Sequence, residues 1–279
     1  MKKVHLLVID PQNDFMDIPS ATLPVAGANA DMVRLAALVD RIGTKLQNIH
    51  VTLDSHHLVD IAHPAFWRDQ NGQSPNPMTM ISAQSIKDGT WSPRIPAAEL
   101  RAYAIGYAEA LEAAGKYTLM VWPPHCLIGS PGHNVQADLY AALGRWETRR
   151  VRTVDYVTKG TNVLTEHYGA LLAEVPIAND PSTQLNGRFL AMLQEADTIV
   201  VAGEASSHCV KATIEQVADN IGAEHVKKFH LLTDCMSPVP AVTAPDGTVI
   251  VDFPGMANAF LANMQSLGMT LSTSDRFLA

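Results

Sequence analysis

The residue best suited to covalent chemistry is Cys209, in the segment VVAGEASSHCVKATIEQVADN. An apolar run ends at Gly203, and a helical pattern begins near Ser206 or Ser207, either of which suits an N-cap. We therefore expect Cys209 in the first turn of a helix, where unpaired N–H groups and the helix dipole lower a thiol's pKa and can receive an oxyanion. A small buried core cysteine fits the segment equally well.

Two charged residues could assist such a nucleophile. Asp10 closes the apolar run of VIDPQNDF, and a carboxylate there could take the thiol proton and later return it to a leaving amine. Lys159, in YVTKGT, could hold both groups as anions if it stood beside them. Each has an ordinary alternative, since Asp10 could be a turn residue before Pro11 and Lys159 a surface lysine.

A second cluster has the residue types of a metal site. Asp54 and His56 follow another apolar run in TLDSH, and side chains at i and i+2 of an extended segment point the same way. His125, in VWPPHC, is a third candidate ligand, and His63 is a fourth, with His57 as an adjacent competitor. Any one of the 11 histidines, taken alone, is more often structural.

Short apolar runs predict the strands that would position these residues. They lie at 4–9, 49–53, 198–202, 229–232 and 269–271. Apolar residues recur with a helical period between them, at 33–46, 210–221 and 257–264. This alternation predicts an α/β fold with a doubly wound, mostly parallel sheet flanked by helices. Polar residues at the carboxyl ends of such strands suit an active-site crevice.

The stretch between residues 55 and 124 breaks this rhythm. It holds seven of the 17 prolines, and it contains one clear amphipathic helix over 100–111, which we expect to begin at Pro96. We interpret the chain as one domain over 1–279, with an insertion at about 57–122 that covers the edge of the active site.

Composition and charge exclude several classes of function. With 47% hydrophobic and 17% charged residues the chain can bury a large core. A net charge of -8 without a Lys/Arg cluster argues against nucleic acid or an anionic membrane as partner. The apolar run after Lys2 and Lys3 is about six residues long, too short for a signal peptide or a membrane span.

Three cysteines do not make a disulfide framework. Cys126, Cys209 and Cys235 therefore fit a reducing, cytoplasmic setting. We interpret Cys126, next to His125, as structural rather than as a metal ligand.

Taken in order, these segments resemble the nicotinamidase branch of the isochorismatase-like cysteine hydrolases. The resemblance covers nearly the whole chain, and it is carried by VIDPQNDF, TLDSH, WPPHCLIGSPG, VTKGTNVLTEHYGAL and GEASSHCVKAT. Two positions depart from the family's pattern: Ser207 stands where an acidic residue is common, and His208 replaces a tyrosine. The gap between His56 and His125 is also longer than in a compact nicotinamidase.

The resemblance implies a role for each motif. Asp10, Lys159 and Cys209 would form the catalytic triad. Asp54, His56 and His125 would hold a divalent metal ion, with zinc first and iron or manganese as alternatives, and His63 would be a possible additional ligand. It also implies a cis peptide between Glu204 and Ala205, and an oxyanion hole made by the backbone N–H groups of Ala205 and Cys209.

The function implied is hydrolysis of a small carboxamide, with nicotinamide foremost, through a thioester. A metal ion would bind the pyridine nitrogen, or would orient another substrate or activate water. Phe15, Phe66 and Trp67 are candidate walls for a flat ring, and ordinary core positions are equally possible for them. Pairing of exposed helix surfaces, by analogy with such folds, predicts a homo-oligomer.

Three other interpretations remain open at this point. The chain could hydrolyse another small amide, or a vinyl ether without a metal, on the same fold. It could also be a non-catalytic metal-binding member of the fold, with Cys209 as an inert thiol. A nucleotide-binding turn at Gly203 has little support, because the segment lacks G-x-G-x-x-G.

Overall fold

A six-stranded parallel sheet forms the centre of the structure, a computed structural model that describes residues 2–115, 117–244 and 246–278. In the described ranges the strands are β1 (Val4–Ile9), β2 (Leu46–Asp54), β3 (Trp67–Arg68), β4 (Thr79–Ile81), β5 (Ser92–Pro93), β6 (Leu119–Val121), β7 (Asp155–Lys159), β8 (Thr198–Gly203), β9 (Phe229–Leu232), β10 (Val242–Thr243), β11 (Val249–Val251) and β12 (Thr270–Ser272). The central sheet has the order β12-β9-β8-β1-β2-β7, and all its pairs are parallel. The predicted doubly wound, mostly parallel sheet is confirmed.

Helices cover both faces of this sheet. The α-helices of the described residues are α1 (Ala28–Ile42), α2 (Ala83–Lys87), α3 (Ala98–Ala113), α4 (Ala137–Arg150), α5 (Gly187–Gln194), α6 (Cys209–Asn220), α7 (Ala223–Val226) and α8 (Phe253–Ser266). Single 3-10 turns occur at Asn13–Phe15, Pro64–Phe66, Pro131–His133 and Pro181–Thr183. None of the helices in the described part of the chain combines the length and apolar character needed to cross a bilayer.

The position of strand β1 explains why its sequence is apolar apart from His5. Leu6 and Val8 pack into the cluster that contains α1 and α4, whereas Leu7 and Ile9 pack into the cluster that contains α5, α6 and α8. All six of its residues are buried because both faces are covered. Each fully buried leucine or isoleucine stabilises the fold by about 1.5–3 kcal/mol.

The segment over 57–122 has an apolar cluster of its own. The fully buried Trp67 packs there with Ile86, Tyr107 and Leu111. The segment also contains two short antiparallel strand pairs, β3–β5 and β4–β6. Its long helix, α3, begins at Ala98, two residues after Pro96. We propose that this segment is an insertion in the one domain, since its cluster is separate from the two that sandwich the central sheet.

Two of the elements that position the site differ from the sequence prediction. Helix α6 begins at Cys209 with His208 as its N-cap, so neither Ser206 nor Ser207 caps it. Ser207 Oγ instead accepts from the backbone N–H of Val239 and lies 2.8 Å from His208 Nδ1. Strand β7 was not predicted because it is an edge strand of alternating burial and has no continuous apolar run.

A pair of buried histidines interrupts the apolar layer beneath α5. His5 Nδ1 lies 3.2 Å from His50 Nε2, and His50 Nδ1 lies 2.9 Å from an Asp155 carboxylate oxygen. Asn48 Nδ2 lies 3.2 Å from the other ring nitrogen of His5. Burial, followed by the neighbouring His50, lowers the pKa of His5 to about 4, which favours the neutral ring in the folded protein.

Mild acid should destabilise the protein through His5. Its folded-state pKa of about 4 lies below the unfolded value of 6.5, so the unfolded chain takes up the proton first as the pH falls. The stability that neutral His5 contributes is complete above pH 6.5 and is lost between pH 6.5 and 4. We expect His5→Asn to reduce the pH slope of the unfolding free energy in this window by up to about 1.4 kcal/mol per pH unit, measured by urea titration.

The matched control is His57→Asn, at an exposed histidine outside this pair. It should retain the slope of the parent protein. An unchanged slope in His5→Asn would contradict the assignment.

Candidate active site

Four side chains meet where the central strands end. Asp10 follows β1, Asp54 ends β2, Lys159 ends β7, and Cys209 begins α6 after β8. Asp54 and Lys159 are register partners in the β2–β7 pair, so they leave the sheet side by side. All four are buried. The fold therefore brings together residues that are far apart in the sequence.

The Lys159 ammonium group is the centre of this cluster. Its Nζ lies 2.8 Å from Asp10 Oδ2, 2.9 Å from Asp54 Oδ1 and 3.7 Å from Cys209 Sγ. It also donates to the backbone oxygen of His167 at 2.9 Å. A buried charge requires partners of this kind, and here one cation serves two carboxylates and a thiol.

Burial controls the protonation of the thiol. It raises the pKa of Cys209 well above its usual range, and the charge of Lys159 opposes this only in part. The lowered pKa expected from the helix start is therefore not found, because the loss of hydration outweighs the charge of Lys159. Burial also raises the pKa of Asp10, against the opposing effect of Lys159. A protonated thiol beside such a carboxylate is suited to proton transfer.

Thr52 holds Asp10 in place. Its hydroxyl donates to Asp10 Oδ1 at 2.6 Å, and the same Oγ1 lies 3.0 Å from the backbone N of Asp10, which donates to it. Asp10 has a φ of 45°, in the left-handed region that glycine favours. Such a conformation costs about 1–3 kcal/mol and persists only where its surroundings impose it.

Next to this cluster, Asp54, His56 and His125 form a group of possible metal ligands. One atom of each lies within 4.8 Å of the others, and all three residues are buried. The Nε2 atoms of His56 and His125 lie 3.0 and 3.4 Å from Asp54 Oδ2. Asp54 therefore faces Lys159 with one oxygen and the two histidines with the other.

His63 completes a triangle of rings with these histidines. Its ring centroid lies 5.1 Å from that of His56 and 5.3 Å from that of His125. Its Nδ1–H donates to the backbone oxygen of His57 at 3.0 Å. Its Nε2 is buried and has no hydrogen-bond partner among the described residues.

These side chains fit a divalent metal ion. The Nδ1 atom of His56 lies 3.2 Å from an Asp60 oxygen, and that of His125 donates to the Pro123 backbone oxygen at 2.8 Å. With Nδ1 engaged in this way, as in His63, each ring presents Nε2 as the ligand atom. The unpartnered Nε2 of His63 supports this fit. Nitrogen and carboxylate donors suit zinc, iron or manganese.

A narrow pocket opens onto the sulfur of Cys209. Its walls are Phe15, Leu23, Val25, Asp54, Trp122, His125, Glu166, Tyr168, Ala205, His208, Cys209 and Val239. Its volume of about 30 Å³ has room for about two water molecules. Trp122, Tyr168 and His208 also line a larger neighbouring cleft of about 470 Å³, so these three rings form the wall between the two spaces.

Of the three aromatic walls expected from the sequence, only Phe15 lines this pocket. Phe66 and Trp67 lie instead in the apolar cluster of the insertion, where the Trp67 Nε1–H donates to Ile61 O at 2.7 Å. Sequence reasoning missed Trp122 and Tyr168, which are joined by a 2.7 Å hydrogen bond. Their positions within the motifs of His125 and Lys159 were the available signal.

Glu166 is a further residue that the sequence did not single out. It is buried, lines the pocket, and has one carboxylate oxygen 3.9 Å from His56 Nε2. Burial raises its pKa to about 7, although His56 acts in the opposite direction. A carboxyl group whose pKa lies near neutral pH is therefore placed beside the candidate metal ligands.

The backbone at Ala205 also faces the pocket. The peptide between Glu204 and Ala205 is cis, as the family resemblance implies. Among the described residues, no hydrogen bond takes the N–H of Ala205. The N–H of Cys209 is the first of a helix and so lacks an acceptor within that helix. Ala205 and Cys209 both line the pocket, and their free N–H groups suit an oxyanion.

The fold is that of solved nicotinamidases and pyrazinamidases. The nicotinamidase/pyrazinamidase of Acinetobacter baumanii superposes with a TM-score of 0.58 at 19% identity, over 99% of this chain and 98% of that one. Yeast nicotinamidase bound to the inhibitor nicotinaldehyde superposes with a TM-score of 0.60 at 18% sequence identity, over 97% of this chain and 99% of that one. The pyrazinamidase of Pyrococcus horikoshii in complex with zinc has a TM-score of 0.53 at 17% sequence identity, over 97% of this chain and 99% of that one.

No family model and no curated protein sequence matches the chain. At these identities the structural likeness shows the fold. It agrees with the fold implied by the resemblance of the motifs.

Cys209 should be the first cysteine to react with iodoacetamide. Its sulfur borders the pocket beside Lys159, whereas Cys126 and Cys235 have no exposed surface. We expect peptide mapping by mass spectrometry to find the label on Cys209, and Asp10→Asn to slow labelling because it removes the proton acceptor. Equal labelling of Cys126 or Cys235 would contradict this assignment.

Proposed function

We propose that this protein is a cysteine amidohydrolase that releases ammonia from a small carboxamide, with nicotinamide as the first candidate substrate. The observation that carries the proposal is the position of Lys159, between Asp10 and Asp54 and 3.7 Å from the sulfur of Cys209. The fold shared with nicotinamidases supports the same reaction class.

In the proposed reaction, Asp10 takes the proton of the Cys209 thiol as the sulfur attacks the carboxamide carbon. The C–N bond then breaks, and Asp10 gives its proton to the departing nitrogen, which leaves as ammonia. Water next attacks the thioester, losing a proton to Asp10. The C–S bond breaks, the acid product leaves, and Cys209 regains its proton. Lys159 keeps the negative charge of Asp10 and of the sulfur stable throughout.

The N–H groups of Ala205 and Cys209 would hold the oxygen that becomes negative during both attacks. Loss of one such donor costs about 2.7–4 kcal/mol in related hydrolytic sites. Two donors beside the sulfur therefore account for a large part of the expected rate enhancement.

Asp54, His56, His125 and His63 would hold the divalent metal ion. Zinc is the first candidate, with iron and manganese as alternatives. When bound, the ion would supply Lewis acidity and a ligand position for the substrate's ring nitrogen or for water. The protein itself positions these ligand atoms: Asp60, for example, orients the ring of His56.

A flat ring would lie against Phe15, Trp122, Tyr168 and His208. Because the pocket has room for about two water molecules, a pyridine ring enters only when this wall moves. Phe66 and Trp67 lie in the insertion's core and would not contact the substrate.

Cys209→Ala tests the nucleophile directly. We expect ammonia release from nicotinamide to fall by roughly 10⁴-fold or more, since loss of a nucleophile leaves only binding and oxyanion stabilisation. Circular dichroism and thermal unfolding should remain close to those of the parent protein, because the substitution removes one small side chain. Cys235→Ala, at another buried cysteine, is the matched control and should keep its activity. Parent-level turnover in Cys209→Ala would refute the assignment.

The metal group can be tested without measuring catalysis. We expect Asp60→Asn to weaken zinc binding by about 10–100-fold, because the carboxylate that orients His56 is lost. Isothermal titration of the metal-depleted protein with zinc alone measures this change. Asp155→Asn is the matched control, since Asp155 pairs with His50 in the same way on a ring outside the ligand group. Equal affinities in the two variants would argue against a metal at this group.

A further inference from the structure

Glu204 is a buried carboxyl group that no step of the proposed reaction uses. It has no exposed surface and does not line the pocket. It directly precedes Ala205, whose N–H is proposed to hold the oxyanion. An acidic side chain buried at this place requires compensating interactions, because an isolated carboxylate is costly to remove from water.

The backbone of this loop is tied on two sides. Three N–H groups make the ties, from Gly203 to Cys235 O at 2.9 Å, from Glu204 to Ile9 O at 2.8 Å and from Ser206 to Ser237 O at 3.0 Å. Gly203 makes the close approach possible, since a side chain there would lie 2.0 Å from Ile9 O. The ties flank Ala205 but do not involve its own N–H.

The side chain of Glu204 extends the connection to α1. The backbone N–H of Ser237 donates to Glu204 Oε2 at 3.1 Å, and the Ser237 hydroxyl donates to Asp31 Oδ2 at 2.6 Å. Asp31, in the first turn of α1, also forms an ion pair with Arg34. Ser237 thus joins two buried carboxyl groups.

The surroundings place the negative charge on Asp31 and the proton on Glu204. Asp31 has a guanidinium group, a hydroxyl group and the start of a helix to stabilise its charge. Glu204 Oε1 is buried and accepts no hydrogen bond from the described residues. Burial, followed by the charge of Asp31, raises the pKa of Glu204 well above its usual range, and the charge of Asp17 acts in the same direction.

We propose that Glu204 is a positioning residue, a neutral acid whose hydrogen bonds to Asp31 and Ser237 fix the direction of the Ala205 N–H. Its Oε2 accepts from the backbone N–H of Ser237, and a protonated Oε1, which has no other partner among the described residues, would donate to Asp31. This inference rests on the proposed amide hydrolysis, in which that N–H stabilises the oxyanion. Ionised Glu204 would face Asp31 as a like charge and release the loop.

Two variants separate the neutral hydrogen-bonding role from a charged one. Glu204→Gln keeps the shape, one donor and one acceptor, and cannot ionise. Glu204→Ala removes both bonds. We expect Glu204→Gln to keep kcat within about twofold, and Glu204→Ala to lower kcat by about 10-fold or more, since oxyanion stabilisation is lost. The KM and the rate of Cys209 alkylation by iodoacetamide should stay unchanged, because neither needs the oxyanion contact.

Three results would overturn the inference. Parent-level kcat in Glu204→Ala would remove any role, and an equal loss in Glu204→Gln would assign the role to a charge. A parallel fall of kcat and alkylation rate would indicate general damage to the site. If Glu204→Ala does not fold, Glu204→Met, which fills a similar volume without either hydrogen bond, should lower kcat at constant KM and alkylation rate. Failure of the parent protein to release ammonia from any carboxamide would instead refute the proposed function.

Discussion

The structure of the site depends on one buried ammonium group held between two carboxylates. Lys159 neutralises Asp10 on the side of the sulfur and Asp54 on the side of the histidines. Burial disfavours the Asp54 carboxylate, but His56 and Lys159 outweigh it and keep the pKa of Asp54 well below its usual range. The candidate nucleophile and the candidate metal group therefore share one counter-charge, and a change on either side alters the electrostatics of the other.

The positions of Asp10, Asp54 and Cys209 could be predicted from the sequence because parallel strands put their carboxyl ends at one edge. Three of the four strands involved are rich in buried apolar residues, as expected for a sheet covered on both faces. The fourth, β7, lies at the sheet edge and leaves a weaker pattern. Lys159 was identified through its motif, without a predicted strand.

The walls of the pocket could not be predicted in the same way. Phe66 and Trp67 are as apolar as Trp122 and Tyr168, and composition cannot tell which pair faces the insertion's core and which faces the site. That choice follows from the path of residues 57–122 after they leave the sheet. The protonation state of Cys209 could not be predicted from the sequence either, since it depends on burial by segments that are distant along the chain.

The small volume of the pocket at Cys209 has a kinetic consequence. A space of about 30 Å³ behind three packed rings does not admit a substrate by diffusion alone, so association waits for the wall to open. Binding steps that require a conformational change are slower than simple encounter. In the proposed hydrolysis, amides of equal intrinsic reactivity would be distinguished by how often the rings of Trp122, Tyr168 and His208 separate widely enough to let each one pass. Selectivity would reside partly in the rate of entry, before any bond to sulfur forms.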